Sequence, residues 1–176
     1  MDDDAERAFR EFVTARSPAL MRVAYLLAGG DQHAAEDLLQ SALARTFTKW
    51  RSIESPEAYV RQAMYRQQVS WWRLAWRRNE MAVAEPPEVS GPDEAHTAEL
   101  KIVVRRALAR LTPRQRTMLV LRYFEDLPES TVAAQLGCSV GTVRSTSHRA
   151  LARLRELSPE LRAFDDPYTI FGEATA

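Results

Sequence analysis

The chain has 176 residues, and its 24 Lys and Arg balance 24 Asp and Glu, so its formal charge is zero. Hydrophobic residues make up 45%, which suffices for a packed core, and the length can hold two small domains. The single cysteine, Cys138, excludes an intramolecular disulfide and a cysteine-based zinc site, and it fits a reducing cytoplasm. The acidic start Met1-Asp2-Asp3-Asp4 has no apolar run behind it and does not read as a secretory leader. No apolar stretch reaches membrane-spanning length, so no membrane insertion is expected. Gly is scarce, while Ala, Leu, Arg and Glu are plentiful. These are helix formers, and without period-two β-branched runs the expected fold is all-α.

Residues 5–28 place Phe9, Phe12, Val13, Leu20, Val23, Ala24 and Leu27 at helical spacing. Ser17-Pro18 is a cap-like pair, so two helices or a kink are expected there. Gly29-Gly30 closes the segment. Asp31 then suits the N-cap of a helix over about 32–49, with Glu36 and Asp37 near its positive end. The expected buried stripe is Ala35, Leu38, Leu39, Ala42, Leu43, Thr46, Phe47 and Trp50. A loop at 52–55 leads to a helix over about 57–79, where aromatic residues alternate with arginines.

Residues 81–97 carry three prolines, a glycine and several acids, which is the composition of a flexible linker. About 17 extended residues span up to roughly 60 Å. One turn of duplex is about 34–36 Å, so two tethered domains can reach sites more than a turn apart. A second helical unit follows, with helices over about 98–110, 113–124 and 128–136. Thr112-Pro113-Arg114-Gln115 reads as a capping box with proline at the first helical position. The neutral total hides two basic blocks, at 57–80 and 101–155, separated by acidic segments. Two phosphate-facing surfaces or two solvated helix faces would both produce that pattern.

Ala133, Gly137 and Val143 stand in the spacing A-x3-G-x5-V of a helix-turn-helix. A small residue lets the second helix cross closely, glycine allows a positive φ at the turn, and valine buries against the first helix. Ser139 caps the second helix. Along it Val140, Val143, Ser147, Ala150, Leu151 and Leu154 form the inward face. Arg144, Ser145, Thr146, His148 and Arg149 point elsewhere and can meet base edges and phosphates in a major groove. Surface solvation alone is the plainer reading of His148.

Three segments then carry a resemblance. The stretch LTPRQRTMLVLRYFEDLPESTVAAQLGCSVGTVRSTSHRALARLRE resembles region 4 of extracytoplasmic-function RNA polymerase sigma factors. AYLLAGGDQHAAEDLLQSALARTFTKW and SPEAYVRQAMYRQQVSWWRLAWRRNE resemble their region 2, with an actinobacterial flavour. The likeness covers roughly residues 5–157. It implies two small helical domains: region 2 over 1–80, the linker 81–97, region 4 over 98–157, and a tail at 158–176.

The resemblance also implies roles. Asp37, Leu38 and Gln40 match the surface that docks on a β′ coiled coil of core RNA polymerase, and region 4 is expected to meet the β flap. The loop 51–56 and helix 57–78 match the part that recognises and melts the minus-10 element. Tyr59, Tyr65, Trp71, Trp72 and Trp76 are candidate stacking surfaces, and Arg61, Arg66, Arg73 and Arg77 line a basic groove. Burial in the core is the favoured reading for at least two of the three tryptophans. Arg144, Ser145, His148 and Arg149 match the positions that read the minus-35 element. Thr146 stands where many members carry arginine, so the promoter is not transferable from relatives. Promoter DNA and an anti-sigma factor are implied partners, although nothing in the chain identifies the latter.

No cofactor, metal site or catalysis is expected, since the acids sit in linkers, caps and turns and the three histidines are far apart. Competing readings are a stand-alone helix-turn-helix regulator and a nucleic-acid enzyme. The tail after Ser158, acidic with Phe164, Tyr168, Ile170 and Phe171, is either disordered or folded back on a basic DNA-binding face.

Overall fold

The computed structural model describes residues 3–78 and 97–173, and among these all regular structure is helical. The expected linker, apart from Thr97, lies outside the described residues, as does the side chain of Trp76. Three helices form the N-terminal unit: α1 (Asp3–Leu27), α2 (Gln32–Thr48) and α3 (Pro56–Arg78). Five follow: α4 (Thr97–Ala109), α5 (Pro113–Leu119), α6 (Glu129–Leu136), α7 (Val140–Leu157) and α8 (Pro167–Glu173). None of the described helices is long and apolar enough to cross a membrane.

Helix α1 runs unbroken through Pro18, where a break was expected. Proline removes one helical hydrogen bond, to the carbonyl four residues back. Here that carbonyl belongs to exposed Thr14, where water can replace the lost donor, and Pro18 itself is exposed. Burial of Leu20, Val23, Ala24, Leu26 and Leu27 then holds the later turns in line.

Gly29 and Gly30 turn the chain at φ +70° and +86°, and Asp31 starts α2 by accepting from the Ala34 amide at 3.0 Å. Ala35, Leu38, Leu39, Ala42 and Thr46 are buried, as the spacing predicts. The Thr46 hydroxyl donates to the Ala42 carbonyl at 2.8 Å, which satisfies it inside the core. Phe47 escapes the stripe and is 38% exposed. It joins Phe9, Phe12 and Trp50 in a ring cluster at the open end of α1 and α2, with Phe9 to Phe47 at 4.9 Å.

Thr112 and Gln115 form the expected reciprocal cap of α5, at 3.2 and 3.3 Å. The helix expected over 113–124 does not stay regular. At Val120 it widens into a π-turn through Phe124, closed by the Glu125 amide on the Val120 carbonyl at 2.9 Å. Asp126 follows at φ +50°. That extra residue per turn rotates Glu125 away from the α5 register.

The two units pack on each other. Arg116 of α5, 8% exposed, lies at the C-terminal ends of two helices. Its Nε donates to the Leu27 carbonyl of α1 at 3.0 Å, and Nη1 donates to Leu108 and Ala109 at the end of α4, both at 3.4 Å. A cation there offsets the negative ends of both helix dipoles. Gly29 makes room for it, because a Cβ at that position would sit 2.6 Å from Nη1. Burial pulls the Arg116 guanidinium down to about 10.

The tail is ordered over the described residues. A 3-10 turn at Pro159–Ala163 leads to α8, which buries Ile170 and Phe171 against α4 and the π-turn. Tyr168 meets Tyr123 edge-on at 5.1 Å, and Phe171 stacks on Tyr123 at 5.9 Å. Burial raises the Tyr123 hydroxyl above its ordinary value. Arg155 pins the approach by donating to the Phe164 and Asp165 carbonyls. Apolar burial, rather than the acidic charge of the tail, therefore sets where it docks.

Candidate nucleic-acid interface

Helices α6 and α7 form the helix-turn-helix. Gly137 ends α6 in the left-handed region at φ +64°, a conformation that costs a residue with a Cβ. The Cys138 amide returns to the Ala133 carbonyl at 3.0 Å, and the Ser139 hydroxyl accepts from the Thr142 amide at 3.1 Å to start α7. Val143 is fully buried and Ala133 nearly so, which locks the crossing.

Four of the five expected reading residues, Arg144, Ser145, His148 and Arg149, lie exposed along α7. Thr146 does not. It is 5% exposed and belongs to the packed face. Helix α7 packs on both α5 and α6, so its buried face is wide enough to include the position three residues after Val143. Arg149 donates through Nε to the Ser145 carbonyl at 3.2 Å. Arg144 donates through Nε to Glu129 Oε2 at 2.7 Å, across the turn from α6. Glu129 was not singled out from the sequence, since a fifteen-residue separation across a turn leaves no periodic signal.

On α3 the expected minus-10 residues divide. Arg66, Arg73 and Arg77 are exposed and Tyr59 is half-buried. Arg61 is committed to carboxylates: Nη2 donates to Glu57 at 3.0 Å and Nη1 to Glu125 Oε1 at 2.6 Å. Burial alone would lower the Arg61 guanidinium, but Glu125 and Glu57 outweigh it and raise it. Tyr65 is buried rather than available for stacking, and its hydroxyl donates to Glu125. Burial and the adjacent carboxylate push that hydroxyl well above its ordinary value.

Trp72 is half-buried between the guanidinium groups of Arg73 and Arg114, at 5.9 and 5.6 Å. Trp71, at 41% exposed, and Leu74 at 46% offer an open apolar surface instead.

On α2, Asp37 and Gln40 are exposed on one face, with His33 a turn earlier. Leu38 is fully buried, which removes it from any direct docking surface. Its spacing already placed it in the apolar stripe, and packing against α1 and α3 prevails over the family-derived role. No cluster of metal-binding side chains occurs among the described residues.

Comparison with known proteins matches residues 101–154 to the family model described as Sigma-70, region 4. The chain is 42% identical over 151 residues to the RNA polymerase sigma-E factor of Streptomyces coelicolor, covering 84% of each. It is 30% identical to the ECF RNA polymerase sigma factor ShbA of Streptomyces griseus, covering 76% of each. Among solved structures it is similar to the sigma factor RpoE of Bartonella quintana, crystallised with the anti-sigma factor NepR. The TM-score is 0.60 at 25% identity, over 91% of this chain and 99% of that one.

Proposed function

The chain belongs to the extracytoplasmic-function family of RNA polymerase sigma factors, and from that premise we propose how its residues divide the work of directing core polymerase to promoters. It binds core polymerase and promoter DNA and drives promoter-specific initiation. Its own part is non-catalytic, since polymerase supplies the chemistry. It works in the cytoplasm.

Residues 1–80 act as the polymerase-docking and minus-10 unit, and 98–157 as the minus-35 unit that also meets the β flap. The linker 81–97 lets them reach separate sites, and the tail 158–176 supports the second unit. Arg144, Ser145, His148 and Arg149 read the upstream element from the major groove, with arginine forks on guanine or phosphate. Thr146 supports α7 from within.

On α3, Arg66, Arg73 and Arg77 are placed to follow a phosphate backbone, with Trp71 as a stacking surface for an unpaired base. Arg61 and Tyr59 join them once Arg61 leaves Glu125. Asp37 and Gln40 present the docking face to the β′ coiled coil. An anti-sigma factor is a further partner, as for the related Bartonella protein.

The observation that carries this reading is the row of exposed basic and polar side chains on α7, held rigid by a capped helix-turn-helix. Reconstitution with sigma-free core polymerase, followed by run-off transcription on a genomic library, tests it. Promoter-dependent transcripts are expected. Their absence from every template would refute the reading.

A further inference from the structure

We propose that Glu129 is a positioning residue that sets base selectivity by holding Arg144 in one orientation, an inference that rests on α7 reading DNA. An exposed arginine on a helix samples many rotamers, and ordering them opposes binding. Arg144 is 69% exposed, yet its Nε is tied to Glu129 Oε2 at 2.7 Å. Glu129 lies in the first turn of α6, and its side chain is only 29% exposed. It is therefore the anchored member of the pair.

With Nε occupied, Nη1 and Nη2 have no partner among the described residues. They form the planar fork that pairs with O6 and N7 of a guanine. Arg149 makes a useful contrast. Its Nε is tied to a carbonyl of its own helix, so its orientation owes nothing to α6.

The carboxylate has a second consequence. Near a phosphate-lined groove it repels every DNA sequence alike. Glu129 thus lowers affinity for arbitrary sequence while sharpening the choice of one base pair. A helix-terminal acid present only to complement the α6 dipole would do the first but not the second.

The test uses reconstituted holoenzyme and a duplex library randomised across the upstream element, with the bound fraction sequenced. Arg144→Ala locates the base pair read by Arg144 through the guanine preference that disappears. Glu129→Ala should lower selectivity at that same base pair by about 5-fold or more, within what a good bidentate contact provides. It should also raise affinity for non-promoter duplex about 2- to 5-fold and make binding more salt-dependent. Glu129→Gln keeps an acceptor for Nε without the charge, so it should retain most of the selectivity while sharing the gain in non-promoter affinity.

Combining Glu129→Ala with Arg144→Ala should change selectivity no further than Arg144→Ala alone. If Arg144→Ala erases a guanine preference that both Glu129 variants leave intact, the positioning role is wrong. If Arg144→Ala weakens all sequences equally, the reading of α7 on which it rests fails instead.

Discussion

Replacing Arg116 with methionine should loosen the junction of the two helical units without opening a cavity. Methionine keeps most of the buried stem and removes only the guanidinium. The bond lost to Leu27, 3.0 Å long, has a charged donor and is worth about 1.5–3 kcal/mol. The two 3.4 Å contacts to Leu108 and Ala109 add little. The negative ends of α1 and α4 contribute about 0.3–1 kcal/mol each. Against these stands the cost of burying a charge, visible in the guanidinium held down to about 10. The Leu27 carbonyl is not orphaned, because Gln68 Nε2 still donates to it at 2.9 Å. The net loss is then about 1–3 kcal/mol. It should appear as amide exchange about 5- to 150-fold faster at 28–30 and in α5, with a larger radius of gyration by small-angle scattering. Arg116→Lys should recover only part, since one ammonium cannot reach two helix ends with a planar fork. Unchanged exchange at both segments together with an unchanged radius would show that Arg116 does not tie the units.

Three further outcomes are expected. The folded state keeps the Tyr65 hydroxyl protonated beyond its ordinary value near 10, while the unfolded chain releases that proton. Its stabilising contribution is thus present below pH ~10 and is lost as pH rises above it. Denaturant midpoints measured from pH 8 to 11 should fall less for Tyr65→Phe than for the parent, and parallel curves would count against the Tyr65–Glu125 contact. Asp37→Arg or Gln40→Arg should weaken assembly with core polymerase about 10-fold or more while leaving the thermal midpoint within ~2 °C, because both sites are exposed. Native gel titration reads this, and undiminished assembly in both variants would move the docking face elsewhere. Phe171→Ala removes a fully buried ring from the α8 contact and should cost about 3–5 kcal/mol of local stability. Limited proteolysis should then cut within 164–173 well before the rest of the chain, and an unaltered cleavage pattern would mean that α8 is held by something other than its apolar face.

Features set by neighbours within four residues were legible in the sequence. The Asp31, Thr112–Gln115 and Ser139 caps and most of the buried stripes of α2 and α7 follow from i to i+3 and i+4 spacing, and the turn at Gly137 follows from glycine's tolerance of positive φ. Helical backbone geometry alone imposes that spacing. The exposed reading face of α7 followed from the same rule, apart from Thr146. Only the tertiary structure decided which helices touch. That choice carried α1 through Pro18, put Thr146 inside, and docked the tail on α4. It also paired Arg61 and Tyr65 with Glu125 across 64 and 60 residues, and Arg116 with Leu27 across 89. Such pairings depend on where a whole helix comes to rest, which sums the packing of many side chains and has no period along the chain to betray it.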